Sequence, residues 1–166
     1  MQLTHYNTKF IKRNFPIILV CDNVSNASNI GSLFRLSDAF GVEKIIFCGL
    51  HVPLGRKIAK TSRATEKVVA HHVSEQTLPV VERLKKEGYH IISLEITHTS
   101  IPLNTFTFSK ENPIALIVGD ENFGVSESIL KLSDNIIHIE MFGKNSSMNV
   151  AQATNITLYE MTKQLF

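Results

Sequence analysis

The sequence predicts an α/β fold in which a mainly parallel sheet is flanked by helices. Short continuous apolar runs, typical of strands that are buried on both faces, alternate with stretches of helical apolar spacing. Polar or glycine-rich turns separate the two kinds of segment. This β-α-β alternation favours parallel strands, because each helix carries the chain back to the same edge of the sheet.

The predicted elements follow one another without an internal repeat, a low-complexity tract or a linker. The apolar runs predict strands at residues 16–21, 45–48, 91–94, 113–118 and 136–139. The helical spacing predicts helices at residues 30–40, 78–86, 126–132 and 148–164. We therefore expect a single domain over residues 1–166, in which residues 1–15 form a short amino-terminal extension.

The composition excludes several classes of protein. The 166 residues are 43% hydrophobic and 19% charged, which excludes a disordered chain. No apolar run approaches the length of a membrane span, about 20 residues, and the start of the chain lacks a signal-peptide pattern. Cys21 and Cys48 lack the spacing of a metal site and are expected to be buried free thiols. We therefore expect a cytoplasmic protein that binds neither a membrane nor a metal.

Positive charge is concentrated in the first part of the chain. Residues 1–67 contain 10 Lys and Arg against 4 Asp and Glu, whereas residues 68–166 contain 7 against 11. Such an asymmetry is typical of a polyanion-binding face, although a run of charges is also typical of solvated surface. The candidate polyanion-binding residues lie in two clusters and are Lys12, Arg13, Arg56, Lys57, Lys60 and Arg63.

Three polar loops follow predicted strands at one edge of the sheet. They cover Asp22–Ser28, Gly119–Gly124 and Glu140–Ser147. Ligands of parallel sheets bind at the carboxyl ends of the strands, so these loops predict one shared site. The glycine-rich loop lacks the Lys of a Walker phosphate loop, and the chain lacks the GxGxxG pattern of a dinucleotide site.

Single residues near these loops have two interpretations. Asn29, Ser147 and Asn149 can act in a site, or they can cap neighbouring helices, as Asn and Ser side chains often do. Arg35 lies among apolar neighbours in the first predicted helix. Its side chain either extends along the surface to solvent or presents its guanidinium to a phosphate or a developing oxyanion.

Taken together and in order, these segments resemble the motifs of the SpoU-type (TrmH-like) RNA 2′-O-ribose methyltransferases of the SPOUT superfamily. Asn29–Arg35 is similar to the NxGxxxR motif, and Gly119–Gly124 is similar to GxExxG. Ile139–Met141 followed by Ser147–Ala151 is similar to the IPM…SLNVS element. Lys60–Lys67 is similar to the TSAGAxxK stretch.

The resemblance covers residues 16–162 and includes three departures from the family pattern. Glu140 replaces the usual Pro, Met148 replaces Leu, and Ala151 stands where Ser is frequent. Met for Leu conserves volume, whereas Glu140 adds a charge near the expected cofactor pocket.

The resemblance implies a more specific fold and a cofactor. In this family the sheet ends in a deep C-terminal trefoil knot, which binds S-adenosylmethionine next to a homodimer interface. By position in the motifs, the cofactor would contact Leu94, Gly119, Ile139 and Met148.

The resemblance also implies a reaction, the transfer of a methyl group to a ribose 2′-hydroxyl. Arg35 stands where the family has its catalytic base, although a guanidinium is better suited to stabilising an oxyanion or binding a phosphate. Asn29, Glu121, Ser147 and Asn149 would position the ribose and hold Arg35. A pair between Arg35 and Glu121 is one such arrangement.

The RNA substrate follows less directly from the resemblance. Only about 15 residues precede the first predicted strand, so RNA recognition would rest on the basic residues named above. A domain of this kind favours a compact substrate such as tRNA over rRNA. The alternatives are a knotted RNA-binding module without activity and a nucleotide-binding enzyme of ordinary Rossmann type.

Overall fold

The computed structural model describes residues 7–166. The predicted lack of a signal peptide concerns residues 1–6, which lie outside the described residues. Strands β1–β7 cover Phe15–Asp22, Val42–Cys48, His71–Ser74, His90–Leu94, Ile101–Pro102, Ile114–Gly119 and Asn135–His138. Helices α1–α5 cover Ala27–Ala39, Arg56–Ser62, Thr77–Lys86, Glu127–Leu132 and Val150–Leu165.

The strands form one parallel sheet in the order β3-β2-β1-β6-β4-β7-β5. The predicted mainly parallel sheet is therefore confirmed. β1 and β6 are neighbours at the centre, with Asp22 opposite Gly119 at their carboxyl ends. β2 and β3 extend to one side of this pair and the remaining strands to the other. Such a reversal of strand order opens the crevice in which doubly wound sheets bind ligands.

Both faces of the sheet are covered by helices, as predicted. Successive residues of a strand point to opposite faces. Leu19 of β1 belongs to a core that includes Phe34 of α1 and Leu158 of α5. Its neighbour Val20 belongs to a second core that includes Leu84 of α3 and Ile129 of α4. Burial on both faces explains why the central strands are continuous apolar runs in the sequence.

Three elements have no counterpart in the sequence prediction. In α2 only Ile58 and Ser62 are buried, so the helix carries too few apolar residues to show a helical period. β3 is an edge strand in which His71, His72 and Val73 are exposed, and β5 has only 2 residues. Pairing with a neighbouring strand, rather than an apolar pattern, defines these two strands.

Two helix boundaries also differ from the prediction. α1 begins at Ala27, earlier than the predicted residue 30, because the side chain of Asn26 caps its first turn. α5 begins at Val150 rather than at Met148, because Asn149 caps it.

The two cysteines are buried free thiols, as predicted. Burial raises the pKa of the Cys48 thiol to about 11, and it also raises the pKa of Cys21 well above its ordinary value. Both thiols therefore stay protonated at neutral pH, which excludes them as thiolate nucleophiles.

Asp22 ties the carboxyl end of β1 to two helices. It is 1% exposed, and its Oδ1 accepts hydrogen bonds from Thr77 Oγ1 at 2.5 Å and Asn23 Nδ2 at 2.9 Å. Its Oδ2 accepts from the backbone N–H of Ser126 at 2.8 Å. Thr77 begins α3 and Ser126 immediately precedes α4, so one buried carboxylate fixes the start of both helices beside the crevice.

A glycine allows α1 and α2 to pack closely. A β-carbon at Gly31 would overlap the side chain of Thr61 and would lie 2.9 Å from the carbonyl oxygen of Ile58. No side chain larger than that of Gly fits this contact. Gly31 therefore sets the position of the basic helix α2 against α1.

We expect Gly31→Ala to destabilise the protein, although Gly to Ala stabilises most helix interiors by about 0.5–1 kcal/mol. Because the new methyl overlaps Thr61, the free energy of unfolding should fall by about 1–3 kcal/mol, measured by urea denaturation. The control is Ser32→Ala on the partly exposed side of α1, with a change of about 0.5 kcal/mol or less. A stabilised Gly31→Ala protein would contradict the packing argument.

Candidate active site

Three side chains from distant parts of the sequence meet at the carboxyl edge of the sheet. Asn29 Nδ2 and Asn149 Nδ2 both donate hydrogen bonds to Glu121 Oε1, the second at 2.8 Å. Asn149 Nδ2 also donates to Asn29 Oδ1 at 3.0 Å. We call these three residues the amide–carboxylate cluster. It joins α1, the β6–α4 loop and the start of α5 at the centre of the predicted site.

Asn149 both caps a helix and belongs to the cluster. Its Oδ1 accepts from the backbone N–H of Ala151 at 2.9 Å, while its Nδ2 faces Glu121. The capping interpretation is therefore confirmed for this residue, and the same side chain also contacts the predicted site residue Glu121. At α1 different residues cap the helix and contact Glu121. Asn26 is the cap, whereas Asn29 lies within the helix and belongs to the cluster.

Arg35 lies outside the cluster. Its side chain is exposed, and residues 7–166 offer it no ion pair or hydrogen bond. The expected pair between Arg35 and Glu121 is not formed, and two amides contact Glu121 Oε1 instead. The helix explains this result: Arg35 starts about 9 Å further along the axis of α1 than Asn29 and on another side of it.

A cavity of about 410 Å³ opens beside the cluster. All four predicted cofactor residues line it, together with Glu121 and Ser147 of the predicted catalytic set. They are Leu94, Gly119, Ile139 and Met148. The cavity lies where β4, β6 and β7 end, and its volume is typical of a small-molecule site.

The lining of this cavity is acidic. Among residues 7–166, it includes Glu95, Asp120 and Glu121 and no Lys or Arg. Such a lining attracts a cationic or zwitterionic ligand and repels a polyphosphate. The cavity therefore fits the sulfonium and ammonium groups of S-adenosylmethionine better than it fits ATP or NAD.

His138 offers a further polar atom at the cavity. It is the last residue of β7 and lines the cavity, and its Nδ1 is buried without a hydrogen-bond partner among the described residues. A buried polar atom of this kind is rare in folded proteins unless a ligand or a water completes it. The sequence analysis missed His138 because no metal or catalytic pattern surrounds it.

The glycine-rich loop between β6 and α4 is held in one shape. A β-carbon at Gly119 would overlap the backbone of Gly124, which has a φ of +67°. Glu95 Oε2 accepts from the backbone N–H of Val125 at 2.9 Å and so fastens the end of the loop to β4. Sequence analysis missed Glu95, whose position directly after a predicted strand was the one available indication.

Glu140, the departure expected to add a charge near the cofactor pocket, lies outside the lining of this cavity. It is exposed, and its Oε2 accepts a hydrogen bond from Asn104 Nδ2 at 3.2 Å. Its charge is therefore directed to another part of the surface.

The predicted polyanion-binding residues lie on two exposed segments. Arg56, Lys57, Lys60 and Arg63 belong to α2 and its C-terminal cap, and within residues 7–166 none of them forms an ion pair. Arg63 has a φ of +50°, a left-handed conformation that is uncommon for a residue other than Gly.

The second segment precedes β1 and carries Lys12 and Arg13, both exposed. The Arg13 guanidinium lies 4.1 Å from the centre of the Phe166 ring, a cation–π contact that joins this segment to the C-terminus. The prediction did not include this internal partner, so of the two residues Lys12 is the freer to bind a polyanion.

Neither a membrane-spanning helix nor a cluster of metal ligands occurs in the part of the chain that the structure describes. Within residues 7–166, no helix combines the length and hydrophobicity needed to cross a membrane. In the same range, no three His, Cys, Asp or Glu side chains are grouped as metal ligands.

Two proteins with similar sequences are both named as RNA 2'-O-methyltransferases. A tRNA (guanosine(18)-2'-O)-methyltransferase from Aquifex aeolicus (strain VF5) is 29% identical over 153 residues, covering 92% of this chain and 72% of the relative. The 23S rRNA (guanosine-2'-O-)-methyltransferase RlmB from Blochmanniella floridana is 31% identical over 158 residues, covering 90% of this chain and 58% of the relative.

Solved structures share the fold. The crystal structure of the A. aeolicus TrmH/SpoU tRNA modifying enzyme matches with a TM-score of 0.82 at 28% identity, covering 92% of this chain and 77% of that chain. The SpoU methyltransferase AviRb from Streptomyces viridochromogenes matches with a TM-score of 0.80 at 26% identity, covering 93% and 61%. The chain thus spans less than two thirds of the Blochmanniella and Streptomyces proteins.

The profile of the SpoU rRNA Methylase family matches residues 16–159, from the first strand to the last helix. This range includes the amide–carboxylate cluster, the acidic cavity and the basic helix α2. The chain belongs to the SpoU rRNA Methylase family.

Proposed function

We propose that this protein transfers a methyl group from S-adenosylmethionine to a ribose 2′-hydroxyl of RNA, with tRNA favoured over rRNA. The observation that carries the proposal is the amide–carboxylate cluster, which lies on the edge of an acidic cavity of suitable volume. The names of the A. aeolicus and Blochmanniella relatives, one for tRNA and one for rRNA, support the reaction and leave both substrates to be tested.

The cavity residues would hold the cofactor, which supplies a methyl group made electrophilic by the sulfonium. Leu94, Ile139 and Met148 offer apolar contacts, and Gly119 leaves its backbone open to the ligand. The carboxylates of Glu95, Asp120 and Glu121 would stabilise the positive charge of the cofactor electrostatically. The ring of His138 offers its unpartnered Nδ1.

The cluster would orient the ribose. A hydroxyl is a weak nucleophile at neutral pH, so its alignment and the stabilisation of its developing charge decide the rate. Asn29 and Asn149 hold Glu121 through Oε1, and Oε2 has no partner among the described residues. Oε2 is therefore free to accept a hydrogen bond from the 2′-hydroxyl. Ser147, exposed at the cavity, would contact the same ribose.

Arg35 would supply the positive charge that the cavity lacks. Because its guanidinium is exposed and unpaired in this structure, it is available to the incoming RNA. A guanidinium stays protonated at neutral pH, so we assign Arg35 to stabilising the developing oxyanion or the adjacent phosphate rather than to removing a proton.

We also propose that the backbone after β7 completes the deep trefoil knot of the family and that the protein acts as a homodimer. The likeness to the A. aeolicus structure supports the knot. The exposed apolar side chains Ile156 and Tyr159 on α5 are suited to a subunit interface. The cytoplasmic location expected from the sequence stays a prediction.

The reaction can be tested with purified protein, methyl-labelled S-adenosylmethionine, and unmodified tRNA and rRNA in separate reactions. We expect a labelled 2′-O-methyl nucleoside from tRNA, identified by mass spectrometry after digestion. S-adenosylmethionine should raise the Tm, whereas ATP should leave it unchanged because of the acidic lining. Label on a base would contradict the ribose chemistry, and a protein that does not bind S-adenosylmethionine would contradict the whole proposal.

Arg35→Ala should lower kcat by about 100-fold to 1,000-fold while the Kd for S-adenosylmethionine stays unchanged, because the guanidinium acts on the RNA side of the reaction. Arg35→Lys should recover part of the rate, since it keeps the charge and loses the planar fork. The matched control is Lys110→Ala, which removes an exposed cation from the loop before β6, at the opposite edge of the sheet. Near-normal methylation by Arg35→Ala would remove Arg35 from the mechanism.

Lys60→Ala and Arg63→Ala should weaken RNA binding and reduce its dependence on salt. Each lost phosphate contact lowers the slope of log Kd against log salt by about 1. The slope can be measured by fluorescence anisotropy with labelled tRNA, with Lys110→Ala again as the control. If Lys60→Ala and Arg63→Ala give the same slope as Lys110→Ala and the unmodified protein, α2 does not contact the phosphates.

A further inference from the structure

A large aromatic side chain lies exposed at the active site. Phe123 is 90% exposed, although it is on the same loop as Glu121 and lines the rim of the acidic cavity. Most Phe side chains are buried in the core of a protein, and an exposed ring beside a site is more informative than one elsewhere on the surface.

The backbone holds Phe123 in this position. Asp120 Oδ1 accepts from the backbone N–H of Asn122 at 2.8 Å and of Phe123 at 3.3 Å. The backbone N–H of Gly124 donates to Asp120 O at 2.8 Å, which closes the turn. The ring is thus presented outwards by a tightly bonded turn rather than by a loosely held loop.

The charges around the ring indicate which part of an RNA it can meet. Asp120 and Glu121 precede it, and residues 119–124 contain no Lys or Arg. This loop repels phosphates, whereas a neutral nucleobase can approach it. The base is joined to C1′ of the ribose, next to the carbon whose hydroxyl reacts, so it must lie near the amide–carboxylate cluster.

From this geometry, and resting on the proposed function, we propose that Phe123 is a substrate-binding residue that stacks on the nucleobase of the methylated nucleotide. A nucleotide that enters the site must leave its neighbours in the RNA, and an aromatic ring replaces the stacking that its base loses. Stacking on a flat ring tolerates every base. Phe123 therefore contributes affinity and orientation, while the choice of base is made elsewhere.

The first test compares Phe123→Ala, Phe123→Leu and Phe123→Trp with the unmodified protein on its best RNA substrate. The KM for RNA should rise about 10-fold in the Ala and Leu variants, since both lose the flat face, and should return to about its original value in the Trp variant. The Kd for S-adenosylmethionine should stay the same in all three. A Leu variant with the original KM would overturn the proposal, because Leu keeps the apolar contact without stacking.

A second test detects contact between the RNA and position 123 and needs no turnover. The chain contains no Trp, so the Phe123→Trp variant has a single indole at the position in question. We expect tRNA to quench its fluorescence far more than that of Tyr89→Trp, placed just before β4 at the opposite edge of the sheet. Equal responses of the two indoles would overturn the proposal.

These measurements separate the proposal from its basis and from a subunit contact. If the unmodified protein transfers no methyl group, the proposed reaction fails, while the fluorescence titration still decides whether RNA contacts the ring position. Sedimentation velocity of Phe123→Ala tests whether the ring contacts a second copy of the chain instead of RNA. A changed oligomeric state would assign the ring to contact with a second copy of the chain and would overturn the proposal.

Discussion

The hydrogen bonds among Asn29, Glu121 and Asn149 are the constraint on which the site depends. The side chains lie 92 and 28 positions apart in the sequence, so no local preference brings them together. The parallel sheet does so, because β1 and β6 end side by side and α5 starts beside them. Once two amides hold Oε1 of Glu121, its other oxygen is left without a partner among the described residues, at the edge of the cavity. The cluster thereby holds Glu121 Oε2 at the edge of the sheet as a hydrogen-bond acceptor.

Rigid backbone around the cluster keeps this acceptor in place. Gly119 and Gly124 touch where no β-carbon fits, and Glu95 fastens the same loop from β4. Asp22 also supports the site, because its hydrogen bonds join β1 to the starts of α3 and α4. Glu95 and Asp22 give this support as carboxylates that accept backbone, hydroxyl or amide hydrogens. A site whose supporting groups are themselves bonded holds its geometry without a ligand.

Much of this arrangement is predictable from the sequence, and the failures have physical causes. The central strands and the site loops follow from apolar runs and polar turns, since burial on both faces leaves a strong pattern. Helix α2 was missed because it is polar, and Glu95 because a single acid carries no motif. The expected pair of Arg35 with Glu121 was wrong because Arg35 lies about 9 Å further along α1 than Asn29, the residue of that helix that contacts Glu121. The order of the motifs predicts which residues belong to the site. Which of them contact one another depends on how far apart they lie along a helix and on which side of it they point.

Charge in this molecule is divided between two surfaces, and α1 connects them. The net charge of +2 conceals an acidic cavity and a basic helix, which suit a cationic cofactor and a polyanionic RNA respectively. Helix α1 carries Asn29 in the cluster and packs against α2 through Gly31. Because the cavity repels phosphates, an RNA held by α2 can bring only its neutral parts, ribose and base, to the carboxylates. Arg35, exposed on α1, is the cation that we propose for the charge that develops on the 2′-oxygen.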